Sequence, residues 1–195
     1  MKFTEKTFSL PVLKGISAKT IEEHLKLYAG YVKNVNTLIE KMGVLDSEKD
    51  SYLVGEIFRR FSFEYNGMRN HEIYFDSLSD GPKPLNPESG LVKTLLGLFD
   101  TYEIFVKEFT QLALTRGTGW AILWYDKKDR GLLASWVDEQ HLGLLNGCEM
   151  ILALDMWEHS YVADYQPSGK KQYIEDFFSN LNWSKVEQNF LDGSK

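Results

Sequence analysis

Residues 17 to 78 contain two long runs with helix-forming composition, and a chain that begins this way must bury one against the other. The first run reads SAKTIEEHLKLYAGYVKNVNTLIEKMG and repeats apolar residues at Ile21, Leu25, Tyr28, Val32, Val35 and Ile39. Ser17 offers an N-cap hydroxyl and Gly43 a stop. The second run starts near Ser47 and passes through SYLVGEIFRRFSFEYNGMRNHEIYFDSL, with a break or kink expected at Gly67. A short turn between two long helices predicts an antiparallel α-hairpin.

The segment SDGPKPLNPESG follows, holding three of the five prolines, and is the best candidate for a domain boundary. Residues 88 to 115 read as two further helices. The period then changes. GWAILWYDKKDRGLLASWV has two β-prone runs around a polar turn, which predicts a hairpin, and CEMILALD is a third strand apolar enough to be expected in the centre of a sheet. Helices are expected again at KKQYIEDFFSNL and NWSKVEQNFL.

Bulk properties exclude several classes of function. The formal charge of -6 gives no basic footprint for nucleic acid, and no apolar run approaches the length of a membrane span. The start, MKFTEKTFSL, lacks the apolar centre of a secretory signal, and the single cysteine, Cys148, can form no internal disulfide. A cytoplasmic protein is the expectation. Cys148 has no basic neighbour and reads as a quiet thiol.

The four histidines are more informative. His24 lies midway along the first helix and His71 lies among aromatics in the second. Asp155 ends the third strand, and His159 follows four residues later. An Asp and a His at that spacing share a face if the segment is helical or tightly turned. On its own the pair is more often a surface contact or a cap. Two further histidines on adjacent helices change that balance, because three imidazoles and a carboxylate suit manganese, iron or zinc and leave a position open.

These residues carry a resemblance. DMWEHSY at 155 to 161, GTGW at 117 to 120, RNHEIYF at 69 to 75, ISAKTIEEH at 16 to 24, YVKNVN at 31 to 36 and NLNW at 180 to 183 resemble the iron/manganese superoxide dismutases almost end to end. The resemblance implies an α+β fold: a long N-terminal antiparallel α-hairpin, here residues 1–83, then an α/β domain with a three-stranded antiparallel sheet, residues 84–195, and a metal site between them. It implies one iron or manganese ion per chain, held by His24, His71, Asp155 and His159. The implied reaction converts superoxide to oxygen and hydrogen peroxide by one-electron cycling of that ion. On the same ligands, a closed structural zinc site or a non-haem iron oxygenase is the alternative.

The resemblance extends to neighbouring residues. Trp120 and Trp157 correspond to the aromatic shell of the metal pocket. Tyr31 resembles the gateway tyrosine, although it lies seven residues after His24, one fewer than the family spacing. Tyr28 and Tyr31 both stay within about 40° of His24 around an ideal helix, so either can line the entry. The hydrogen-bond donor to the metal-bound solvent falls in SWVDEQHLG, at His141 or Gln140, and His141 is preferred because Gly67 leaves room for an imidazole. Glu158 would reach across a homodimer to the partner's last ligand histidine. Val162 and Gln166 stand where the family often has Tyr and Arg, so the substrate funnel must differ. Lys26, Lys33, Lys170 and Lys171 are candidates for drawing an anion into an acidic protein.

Overall fold

A computed structural model describes the chain from Met1 to Lys195. The hydroxyl of Ser17 accepts from the Thr20 backbone N–H at 3.2 Å and starts helix α1, Ala18–Met42, which Gly43 ends. Its buried stripe is Thr20, His24, Tyr28, Val32 and Val35, so two polar residues share the face that looks inward. Helix α2 spans Ser51–Leu78. It begins later than expected because Asp46 Oδ1 first closes a turn on the N–H groups of Glu48 and Lys49. It also runs through Gly67 without the expected break.

The proline-rich connection is fastened at its ends. The Lys83 N–H donates to Leu181 at 3.1 Å, and the Trp183 N–H donates back to Lys83 at 3.2 Å. The Asn182 N–H donates to the Ser77 carbonyl, and its side-chain amide donates to Ser79, both at 2.8 Å. The two helices that follow are α3, Gly90–Phe99, and α4, Tyr102–Ala113, capped by the hydroxyls of Ser89 and Thr101.

Strands β1, Gly119–Asp126, β2, Gly131–Asp138, and β3, Cys148–Asp155, form an antiparallel sheet in the order β2-β1-β3. β1 is therefore the central strand, buried at every position but its last, and the expectation that β3 is central is corrected. β3 is apolar because α2 and the last helix lie over it, and Asn189 of that helix donates to the free Ile151 carbonyl at 3.1 Å. Gly119 is required where β1 meets β2, since a Cβ there would stand 2.1 Å from the Val137 carbonyl oxygen. Beyond β3 come a 3₁₀ turn at Glu158–Ser160 and three helices: α5, Val162–Tyr165, α6, Lys170–Asn180, and α7, Trp183–Gly193.

One apolar core joins hairpin and sheet. Tyr28, Met68, Tyr74 and Phe75 from α1 and α2 belong to the same buried cluster as Trp120, Leu152 and Phe177. Groups placed at that boundary are thus held from both sides at interior packing density. No helix is long and apolar enough to cross a membrane.

Candidate metal centre

Four elements aim one side chain each at a common point. α1 supplies His24, α2 His71, the end of β3 Asp155, and the 3₁₀ turn His159. The pairing of Trp120 with Asp155 is the last on that side of the sheet, and the chain then leaves the plane. Asp155 closes this exit itself. Its Oδ1 accepts from the Trp157 backbone N–H at 2.8 Å, and its carbonyl accepts from the hydroxyls of Ser160 and Tyr173, each at 3.0 Å. Oδ2 is left facing the three imidazoles.

The Nε2 atoms of His24, His159 and His71 lie 3.1, 3.2 and 3.6 Å from Asp155 Oδ2. The four candidate ligand atoms all fall within 4.8 Å of one another. His24, His71 and Asp155 have no exposed side-chain surface, and His159 retains 22%.

The tautomer of His71 shows what this set is built for. Its Nδ1 donates to the Gly67 carbonyl at 2.6 Å, so Nε2 carries a lone pair. That Nε2 is buried, has no hydrogen-bond partner and faces a carboxylate oxygen. Two lone-pair carriers turned toward each other in a dry interior repel unless a cation lies between them. The residues fit a metal ion of the imidazole and carboxylate type, with the Gly67 carbonyl orienting one ligand.

The protonation states agree. Burial pushes His71 down to about 3, and burial likewise lowers His24, so both rings stay neutral as ligands must. Burial opposes ionisation of Asp155, but the His159 and His24 imidazoles outweigh it and hold the carboxyl below the ordinary carboxylate range.

Aromatic rings enclose the centre. Trp120 meets His71 edge to face at 5.0 Å, Phe75 meets His24 at 4.8 Å, and Trp157 stacks on His159 at 5.9 Å. Tyr74 and Tyr173 share a hydrogen bond behind Asp155.

Gln140, and not His141, comes to this group. Its side chain is buried, with Trp120 Nε1 donating to Oε1 at 2.9 Å and its own Nε2 donating to the Tyr31 hydroxyl at 2.9 Å. An indole can only donate, so Trp120 fixes which end of the amide turns toward Tyr31. Asn70 anchors the Gln140 carbonyl at 3.0 Å. The structure thus brings Gln140, and not the preferred His141, beside Trp120 and Tyr31. Its half-buried ring packs against Phe63 at 5.7 Å and lines a cavity of about 390 Å³ with Leu38, Lys41 and Arg59. Room above Gly67 is not available to an imidazole either, because the Tyr31 ring fills it, 2.5 Å from where a Cβ would stand.

Tyr31 and Tyr28 are separated in the same way. Tyr31 lies 5.0 Å from the His71 ring. The Tyr28 hydroxyl accepts from the Lys6 N–H at 2.8 Å and donates to the buried Glu72 at 3.3 Å. Tyr28 thus holds down the N-terminal segment and does not line the cavity that Tyr31 lines. Its neighbour Leu27 lines a cavity of about 290 Å³ shared with Lys26, Tyr31, Asn34, Arg60 and Phe63. Glu158 is exposed beside His159. Asn70, Tyr173, Arg60 and Glu64 were not expected at or behind the centre. Only Asn70 carried a sequence signal, as the neighbour of His71 in RNHEIYF.

Comparison with known proteins gives the same picture for both parts of the chain. Residues 12–79 match the family described as iron/manganese superoxide dismutases, alpha-hairpin domain, and residues 87–189 match its C-terminal domain. The chain is 34% identical over 183 residues to the iron superoxide dismutase of Cupriavidus metallidurans, covering 91% of this chain and 90% of that protein. It is 31% identical over 186 residues to the mitochondrial manganese superoxide dismutase of Glossina morsitans morsitans, covering 93% and 85%. The manganese superoxide dismutase of Nocardia asteroides is 30% identical over 170 residues, covering 86% and 80%.

Proposed function

The chain belongs to the iron/manganese superoxide dismutases, and from that premise we propose how its own residues divide the work. It is an oxidoreductase that converts superoxide to oxygen and hydrogen peroxide. The observation that carries this reading is the convergence of three imidazoles on Asp155 Oδ2 with His71 locked by Gly67. A bound iron or manganese ion supplies the one-electron exchange, and one such ion per chain fits the four ligand atoms.

The chain provides the rest. Asp155 offsets part of the cation's charge and thereby favours the higher oxidation state. Trp120, Phe75 and Trp157 exclude bulk water and fix the ligand rings. Gln140 Nε2 has two N–H bonds, of which Tyr31 takes one. The second is free for a solvent molecule in the open ligand position, and its strength tunes that solvent's proton affinity. Tyr31, whose hydroxyl burial keeps protonated far above neutral pH, relays protons from the entry to the same point. A non-haem oxygenase needs more open positions than a third histidine leaves, and a closed zinc site does not need the Gln140–Tyr31 pair beside it.

A homodimer is part of the reading: in it Glu158, exposed beside the only partly exposed ligand, hydrogen-bonds His159 of a second copy. The lone cysteine fits a reducing compartment such as the cytoplasm. The test is dismutation by iron-loaded and manganese-loaded protein, alongside His71→Ala and Asp155→Ala. Both variants should lose activity and bound metal. Full activity in either variant, or in metal-stripped protein, refutes the assignment.

A further inference from the structure

The substrate is an anion and the chain carries a net charge of -6, so the entry must correct locally what the whole protein opposes. Two cations line the cavity in front of Tyr31, Lys26 and Arg60. Lys26 is already held by two carboxylates, Glu22 at 2.8 Å and Glu23 at 2.9 Å. Its charge is more than answered on the outer face of α1.

Arg60 is different. Its Nε donates to Glu64 Oε1 at 2.8 Å, while Asn34 donates to Oε2 of the same carboxylate at 3.1 Å. Glu64 is 3% exposed and is itself part of the cavity wall. The Arg60 guanidinium lies 3.9 Å above the Phe63 ring, which fixes its plane. Only Nε is committed. Neither terminal amino group has a protein partner, so the planar fork that matches oxyanions remains free, on a residue that lines both this cavity and the one beside His141.

We propose that Arg60 is the substrate-guiding cation of this enzyme. It neutralises the buried Glu64 carboxylate and offers its free N–H groups to an incoming small anion, between Phe63 and Tyr31. The four lysines expected from sequence to do this include Lys26, which its two glutamates occupy. The proposal rests on superoxide being the substrate, and its test includes an arm that does not.

The experiment measures kcat/KM for superoxide by pulse radiolysis as ionic strength rises from about 0.01 to 0.5 M, a range over which screening shrinks from roughly 30 Å to a few ångströms. Arg60→Gln should lower kcat/KM roughly three- to tenfold at low ionic strength, with the gap closing at high salt. Arg60→Lys should keep most of the rate. Glu64→Gln keeps the shape of the wall and removes a negative charge, so it should move kcat/KM the opposite way with the same salt dependence. Azide, titrated spectroscopically into the metal-loaded protein, should bind in the same order. If Arg60→Gln equals the wild type at low salt, the proposal is overturned. A loss of the same size at every ionic strength, shared by Arg60→Lys and accompanied by a fall in metal content, also overturns it and leaves Arg60 as packing for Phe63. If the wild type fails to dismutate but azide binding still follows Arg60, the functional reading fails while the guiding role stands.

Discussion

Gly67→Ala separates a helix preference from a steric requirement that the hairpin imposes. Gly67 lies inside α2, where alanine is favoured over glycine by about 1 kcal/mol. A Cβ added there would stand 2.5 Å from both Cδ1 and Cε1 of Tyr31, a distance that forces the ring to move. Overpacking of this kind costs about 1–3 kcal/mol. The net effect in the otherwise unchanged protein is a destabilisation of about 0–2 kcal/mol, or a Tm lower by up to about 8 °C in a chain of this size. In a Tyr31→Ala background the obstacle is gone, and the same substitution should raise Tm by about 2–4 °C. The coupling between the two positions is then about 1–3 kcal/mol, readable from a double-mutant cycle by calorimetry. Activity responds more sharply, because displacing the ring breaks the 2.9 Å bond between Gln140 and the Tyr31 hydroxyl. A bond of about 1 kcal/mol predicts a loss of roughly fivefold in kcat. An equal rise in Tm in both backgrounds would show that the ring does not occupy the space above Gly67.

Gln140→Ala should lower activity and cost about 1–3 kcal/mol by leaving the buried Trp120 N–H unpaired, whereas His141→Ala should shift Tm and rate little. The opposite ranking would return the solvent-facing role to His141. For metal-stripped protein, the depressed value of His71 fixes the sign of the pH dependence. The unfolded chain binds that proton near 6.5 and the folded chain only near 3, so stability is complete above 6.5 and falls as pH drops toward 3. The slope is about 1.4 kcal/mol per pH unit for His71 alone, His24 adds to it in the same sense, and equal urea midpoints at pH 7.5 and 5 would count against neutral buried rings. Glu158→Ala should weaken self-association and metal retention together, and sedimentation of a fully active wild-type monomer would sink the proposed cross-subunit contact.

What could be read from the sequence was local. The Ser17 cap and the Gly43 stop of α1 depend on neighbouring residues, and α1 begins and ends where they predict. The Asp155–His159 spacing needed only a tight turn after a strand, and the 3₁₀ turn provides it. The position of β3 at the sheet edge was hidden, because apolar content reports burial and not pairing. α2 and α7 bury the last five residues of β3 without a second flanking strand. The choice between Gln140 and His141 was hidden for a different reason. Glu139, just before them, adopts the left-handed φ of 51°, and a backbone turned in this way decides which neighbour points inward. Arg60 and Glu64 gave no sequence signal, since nothing in α2 alone says that α1 closes a cavity over them.

The two clues left unjoined in the sequence, Gly67 and the shortened spacing to Tyr31, are one structural fact. Seven helical residues make 700°, about 20° short of two full turns, so Tyr31 stays on the face of α1 that carries His24 and looks at α2. Its ring then meets α2 four residues before His71, at Gly67. Any side chain there would push the ring away from Gln140. The glycine that looked like a break in a helix is the clearance that lets a tyrosine at a shorter spacing reach the same group, and the Gly67 carbonyl meanwhile fixes the tautomer of the ligand beneath it. A larger residue at 67 should therefore be tolerated by the helix only where position 31 has given up its ring.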